Sequence, residues 1–194
     1  MKILLGVDFS RDSKAASRFL SNIRFPPNSD LSLVHVISGY DAWRVSHSYE
    51  LEENLRSLQD EARDRAYKNL KRLAVKIDPR LTFHSVIKEG NSGKEILSFL
   101  EQKRIDLAVL GTRGLSGLQR FLLGIVSEWI LQEAPCSVLI VRGSRRLANQ
   151  GIRVLLTTDG SPDAQRALEL LNKLRLPAQS EITVFHAVEG SAYR

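Results

Sequence analysis

Five short apolar runs punctuate the first 142 residues: Lys2–Asp8 (KILLGVD), Leu31–Ile37 (LSLVHVI), Leu81–Ile87, Leu107–Leu110 and Cys136–Val141. Runs of this length with little polar alternation predict strands covered on both faces, as in a parallel sheet. The stretches between them change to helical spacing. Ala15, Ala16, Phe19, Leu20 and Ile23 line one face of a helix that Ser10 or Asp12 can cap and that Pro26-Pro27 stops. After a loop over Gly39–His47, a charged helix runs from about Tyr49 to Ile77. Leu51, Leu55, Leu58, Ala62, Ala66, Leu70 and Leu73 form its apolar stripe, and Asp78-Pro79 breaks it. Gly90-Asn91-Ser92 opens a third helix with Ile96, Leu97, Phe99 and Leu100, and a fourth ends at Glu133.

Strand and helix thus alternate through five strands, which predicts an α/β fold: an open parallel sheet with helices on both faces. In such sheets ligands bind beyond the carboxyl ends of the strands, where the strand order reverses. Asp8, His35–Ile37 and Gly111 mark three of those ends. Between the fourth strand and the fourth helix lies a glycine-rich loop with Gly111, Gly114, Gly117 and Gly124. A glycine loop leading into a helix N-terminus suits phosphate, because free N–H groups and the helix dipole converge there.

The pattern then starts again. Shifting the sequence by 151 positions aligns Lys2–Gly39 with Arg153–Gly190 without a gap, with 12 identities in 38 places. Asp8/Asp159, Ser10/Ser161, Arg24/Arg175, Pro26/Pro177, Ser29/Ser180 and His35/His186 are among them. The expected organisation is a complete domain over 1–142, a linker over 143–151 and a partial second repeat, β-α-β only, over 152–194. The second copy carries no glycine loop, so it reads as a tandem protein with its second domain truncated. A segment of about 40 residues seldom folds without outside support, so it is expected to pack on the first unit, pair with another chain or remain partly mobile.

Composition changes this picture little. With 43% apolar and 26% charged residues the chain is of ordinary globular composition, and no apolar run approaches a membrane span. The net charge of +6 is spread over helices of mixed sign, with no aromatic ladder, which argues against nucleic acid. One cysteine, Cys136, excludes an internal disulfide framework and fits a reducing, cytoplasmic setting.

The spacing Gly111-x2-Gly114-x9-Gly124, the following Ser127-Glu128, and Ala134-Pro135-Cys136-Ser137-Val138 carry a resemblance. With Val7-Asp8-Phe9-Ser10, Val34-His35-Val36 and Glu89-Gly90, they closely resemble the universal stress protein family over residues 2–142, and again at the start of a domain over 152–190. The resemblance implies strand order 3-2-1-4-5, dimers through the last strand, and binding of ATP with a divalent metal such as Mg2+. It further implies that Asp8 meets the adenosine and ribose and that the backbone of Val36 meets the adenine edge. Gly111, Thr112, Arg113, Gly114, Gly124, Ile125, Val126 and Ser127 would hold the phosphates. The family's nucleotide-binding pattern has Ser or Thr directly after the third glycine, where this chain has Ile125. A hydroxyl bonded to a charged phosphate contributes roughly 1.5–3 kcal/mol, so this departure weakens binding about ten- to a hundred-fold. Ser127, the backbone amides, Arg113 and Arg120 remain to compensate.

Several of these residues have a second reading. Asp8 can equally cap the first helix, His35 and His186 read as buried hydrogen-bonded side chains, and Cys136 as buried and inert. Trp129 and Phe121 read as core or interface residues, and Gly117 as loop flexibility. His47 and His84 lack partners at zinc-ligand spacing. No nucleophile with a neighbouring base is visible, and the Gly-Lys-Ser/Thr ending of a P-loop is missing. The expected function is a non-catalytic, or at most slowly hydrolysing, adenine-nucleotide-binding regulatory module of the stress response. The alternative is a nucleotide-independent dimerisation or protein-interaction module with a degraded site.

Overall fold

The computed structural model describes residues 1–37, 52–112, 123–143 and 151–187, with backbone alone over 52–59. His47, Arg113, Gly114, Ser116, Gly117, Arg120 and Phe121 lie outside the described residues. The strands are β1 (Lys2–Gly6), β2 (Asp30–Ile37), β3 (Thr82–Glu89), β4 (Leu107–Gly111) and β5 (Ser137–Val141). Between them run α1 (Arg11–Leu20), α2 (Glu52–Ala74), α3 (Ser92–Lys103) and α4 (Ile125–Glu133). The five strands form one parallel sheet in the order β3-β2-β1-β4-β5, as the resemblance implied.

Successive residues of β1 serve opposite layers, which is the period-two geometry of a strand. Ile3 and Leu5 join Leu31 and Leu33 of β2 under Ala16 and Leu20 of α1 and Leu70 and Ala74 of α2. Leu4 joins Val34, Ala108 and Leu110 under Ile96, Phe99 and Leu100 of α3 and Ile130 of α4. Both faces are covered along β1 and β4, which are apolar and buried from Ile3 to Leu5 and from Leu107 to Leu110, whereas polar residues enter β2 and the edge strand β3, which is only half-buried. Trp129 of α4 lies on buried Gly93 of α3, where a Cβ would collide with the indole ring, so this glycine sets how closely the two helices approach.

Three elements end earlier than the hydrophobic pattern predicts. α1 stops at Leu20, where the amides of Asn22 and Ile23 bond three residues back, to Phe19 and Leu20, and Ile23 stays buried in the turn. β1 stops at Gly6 rather than Asp8, because the Val7 carbonyl is taken by the His35 ring and Phe9 turns into the left-handed region at φ 61°. α2 stops at Ala74 rather than Ile77. There the amides of Lys76 and Ile77 bond three residues back, to Leu73 and Ala74, and this tighter turn keeps Ile77 buried without continuing the helix.

The second repeat forms β6 (Arg153–Thr158), α5 (Pro162–Lys173) and β7 (Glu181–His186), a parallel two-stranded sheet with its crossover helix. Its local chemistry copies the first unit. Ser161 caps α5 by accepting from the Ala164 amide as Ser10 caps α1 by accepting from Ser13, and His186 bonds Thr158 O at 2.6 Å as His35 bonds Val7 O at 2.6 Å. Its burial does not copy it. Leu155, Ile182, Val184 and Phe185 are 64, 52, 63 and 54% exposed, while their counterparts Leu4, Leu31, Leu33 and Val34 are at most 1% exposed. His186, expected to be buried, is exposed along with the rest of β7, which no helix among the described residues covers.

Candidate functional site

The sheet opens at its carboxyl end between β1 and β4. Their pairing runs only from Ile3↔Leu107 to Leu5↔Val109. Beyond that point β1 follows β2, with the Val7 amide bonding Val34 O at 2.8 Å. β4 follows β5 instead, with Gly111 opposite Val141 and the Thr112 amide bonding Val141 O at 3.0 Å. The parting falls where the chain reverses its direction of strand addition, which is where ligand crevices form in open α/β sheets.

Each wall is fixed by contacts between distant residues. On the β1 side, the Asp8 carboxylate accepts the Ser10 amide at 3.0 Å, while the Ser10 hydroxyl caps α1. Ser10 is therefore the helix cap, and Asp8 shapes the turn that leads into it. The half-buried His35 ring donates from Nδ1 to Val7 O and packs on Phe9 with ring centroids 4.8 Å apart. Donation from Nδ1 leaves Nε2 as the acceptor of the neutral ring. Val36 follows at the end of β2, half-buried.

On the β4 side, the first turn of α1 lies directly on Gly111. A Cβ there would sit 2.7–2.9 Å from Asp12 C, Ser13 N and Asp12 Cβ, so the approach requires glycine. The buried Thr112 hydroxyl donates to Asp12 Oδ2 at 2.5 Å, and Gly124 N donates to Thr112 O at 2.7 Å. Ser127 is buried, and its hydroxyl donates to Gly111 O at 2.7 Å. Thr112 and Ser127 thus spend their hydroxyl protons inside the protein, pinning the starts of α1 and α4 to the end of β4.

α4 begins at Gly124, which provides no side-chain cap, whereas α1, α3 and α5 are capped by Ser10, Asn91 and Ser161. The first-turn amides of a helix have no intrahelical acceptor, so this end presents bare donors and the positive end of the helix dipole. Val126 is half-buried at this turn, and Ile125 is 86% exposed. The structure therefore gathers Gly111, Thr112, Gly124, Ile125, Val126 and Ser127 at the carboxyl end of the sheet, with Asp8 and Val36 on the other side of the parting. Asp12 is the participant that spacing did not reveal, because its partner Thr112 is a hundred positions away.

The family model described as the universal stress protein family matches residues 1–142. The chain belongs to the universal stress protein family. A family member from Methanocaldococcus jannaschii is 32% identical over 147 residues, covering 75% of this chain and 84% of its own. Universal stress protein YxiE of Bacillus subtilis is 29% identical over 147 residues, covering 73% of this chain and 98% of its own, so a complete relative is one unit long. Among solved structures, a universal stress protein from Archaeoglobus fulgidus superposes with TM-score 0.66 at 20% identity over 98% of this chain and 67% of its own. UspA from Lactobacillus plantarum does so with TM-score 0.53 at 23% identity over 73% of this chain and 97% of its own. At these identities the two structures speak for the fold alone, and the first does so across both repeats.

Among the described residues no three His, Cys, Asp or Glu side chains gather as metal ligands. Burial pushes the Cys136 thiol above its ordinary pKa, which keeps it protonated and unreactive. No described helix is long and apolar enough to cross a membrane.

Proposed function

We propose that this universal stress protein is a cytoplasmic, non-catalytic regulatory module that binds one adenine nucleotide, ATP with Mg2+, per chain. The observation that carries this reading is the start of α4: a helix N-terminus without a side-chain cap, standing at the parting of β1 and β4 beside Gly111. The donor set fits a polyphosphate. Backbone amides from Ile125 to Ser127 supply direction and the helix dipole supplies charge complementarity, without needing a side chain. Asp8 and the Val36 backbone, across the opening, would meet the ribose and the adenine edge. Arg113 and Gly114 belong to the loop assigned to the phosphates by the family pattern.

A binding rather than a catalytic role follows from how the hydroxyls are used. Thr112 and Ser127 are bonded to Asp12 and Gly111, so neither is poised to activate water or accept a phosphoryl group. Nucleotide occupancy would tighten the walls of the crevice and thereby alter the geometry of a homodimer formed through β5, the terminal strand of the sheet. Thermal-shift titration with Mg-ATP tests the reading: saturation a hundred-fold above the dissociation constant stabilises by about 2.7 kcal/mol. No shift of a folded protein at millimolar nucleotide would refute it.

One observation favours the second reading, a nucleotide-independent interaction module. Ile125 places a bare β-branched side chain in solvent at the position where the family's nucleotide-binding pattern has a hydroxyl. Under that reading Ile125→Asp abolishes partner binding, and ATP has no effect on it.

A further inference from the structure

Arg24 and Arg175 form an isolated antiparallel bridge. The Arg24 amide donates to Arg175 O at 3.0 Å, and the Arg175 amide returns to Arg24 O at 2.9 Å. Their separation, 175 − 24 = 151, is the offset of the internal repeat, so a position of one unit meets the same position of the other. The flanking turns match as well: Ser29 Oγ donates to Pro26 O and Ser180 Oγ to Pro177 O, both at 2.7 Å, with Asn28 and Gln179 at φ 59° and 68°. The apolar contacts obey the same relation. Leu170 and Leu174 pack against the first unit's cluster, as does Phe19, the counterpart of Leu170, while Ile23, the counterpart of Leu174, belongs to it. A segment that meets its own equivalent reciprocally and antiparallel lies on a two-fold axis, and a two-fold contact uses the same patch on both sides.

We propose that the patch formed by Phe19, Ile23, Arg24 and Phe25 is a self-complementary association surface whose partner is a second unit of the same fold. The partial repeat fills that surface in cis. This contact also explains how the repeat holds its shape, since α5 has no buried residue of its own and β7 is exposed along its whole length. A unit freed of its repeat would present the patch to another copy, while the intact chain keeps it closed.

Cysteine cross-linking tests this in a Cys136→Ser background. Antiparallel partners that exchange both hydrogen bonds have Cα atoms about 5.5 Å apart, within disulfide reach. The intact chain carrying Arg24→Cys and Arg175→Cys is expected to close a disulfide within one chain, at monomer mass. Residues 1–142 carrying Arg24→Cys alone are expected to form disulfide dimers at least about tenfold faster than the same unit carrying Lys68→Cys on an exposed face of α2. Every buried member of both core clusters lies between Ile3 and Val141, so the isolated unit keeps its core; a cooperative urea transition verifies this first. If the unit fails that check, the intact Leu170→Asp, Leu174→Asp chain, with its repeat displaced, takes its place. Failure of the double-cysteine chain to close, or cross-linking through Arg24→Cys no faster than through Lys68→Cys, would overturn the proposal.

Discussion

Replacing Ser127 by alanine separates two roles that its position allows. The residue is 7% exposed and its hydroxyl donates to Gly111 O at 2.7 Å, tying the first turn of α4 to the end of β4. Truncation leaves that carbonyl without its donor in a site that solvent barely reaches. The cost of stranding such an acceptor is about 1–3 kcal/mol, far more than an exposed serine contributes. Urea denaturation without nucleotide reads this directly: the midpoint falls while the slope is unchanged, because no additional surface is exposed. Ser127→Thr, which retains a hydroxyl, recovers part of the loss. Nucleotide affinity changes little, since the phosphates rest on backbone amides. The opposite pattern would refute the argument. If Ser127→Ala leaves the midpoint unmoved within about 0.5 kcal/mol yet weakens Mg-ATP binding tenfold or more, the hydroxyl serves the phosphate and not the fold.

Three further predictions follow from the same contacts. Leu4→Ala and Leu155→Ala make the same chemical change at equivalent positions of the two repeats, fully buried in one and 64% exposed in the other. The first should cost about 2–5 kcal/mol and the second below about 1 kcal/mol in urea denaturation; equal losses would mean that β6 is covered in solution. Ile125→Ser restores the family's hydroxyl at an exposed position, so calorimetry should show ATP affinity rising about ten- to a hundred-fold while the melting temperature without ligand stays put. Asp78 is held below the ordinary carboxylate pKa, chiefly by the Arg80 side-chain hydrogen bond at 2.9 and 2.5 Å. A carboxylate depressed in the folded state stabilises above its unfolded pKa, and that contribution is lost as pH falls through the folded value. Urea midpoints measured from about pH 6 down to pH 3 should therefore fall more steeply for the native protein than for Asp78→Asn, and parallel curves would remove Asp78 from the account.

The architecture was legible in the sequence because both sheet faces are buried. Doubly covered strands leave nearly continuous apolar runs, and helices over them leave stripes at helical spacing, so element type and order could be read directly. Element ends were less legible, because burial does not distinguish a helix from the turn that follows it. Ile77 is as buried as a helical residue although α2 has already ended at Ala74. β1 is cut short by a side chain 28 positions away, His35, which competes for the Val7 carbonyl. Gly111, Gly124 and Asp8 mark the crevice in the sequence because each sits next to the end of a recognisable strand or helix. The fastening of that crevice was not visible: Thr112–Asp12 and Ser127–Gly111 depend on three-dimensional approach across 100 and 16 positions. The repeat itself was plain in the self-alignment, but not that its halves would meet at Arg24 and Arg175.

Isothermal titration calorimetry of the intact chain with Mg-ATP tests the central claim most directly. The account predicts saturable binding at the unit that carries the glycine loop and α4, which within residues 1–194 is the first repeat, and so one nucleotide for these residues. It also predicts that Gly111→Ala, whose Cβ would push the first turn of α1 off the end of β4, abolishes binding. Absence of binding at millimolar ATP by a folded protein, or two equivalent sites per chain, would contradict it.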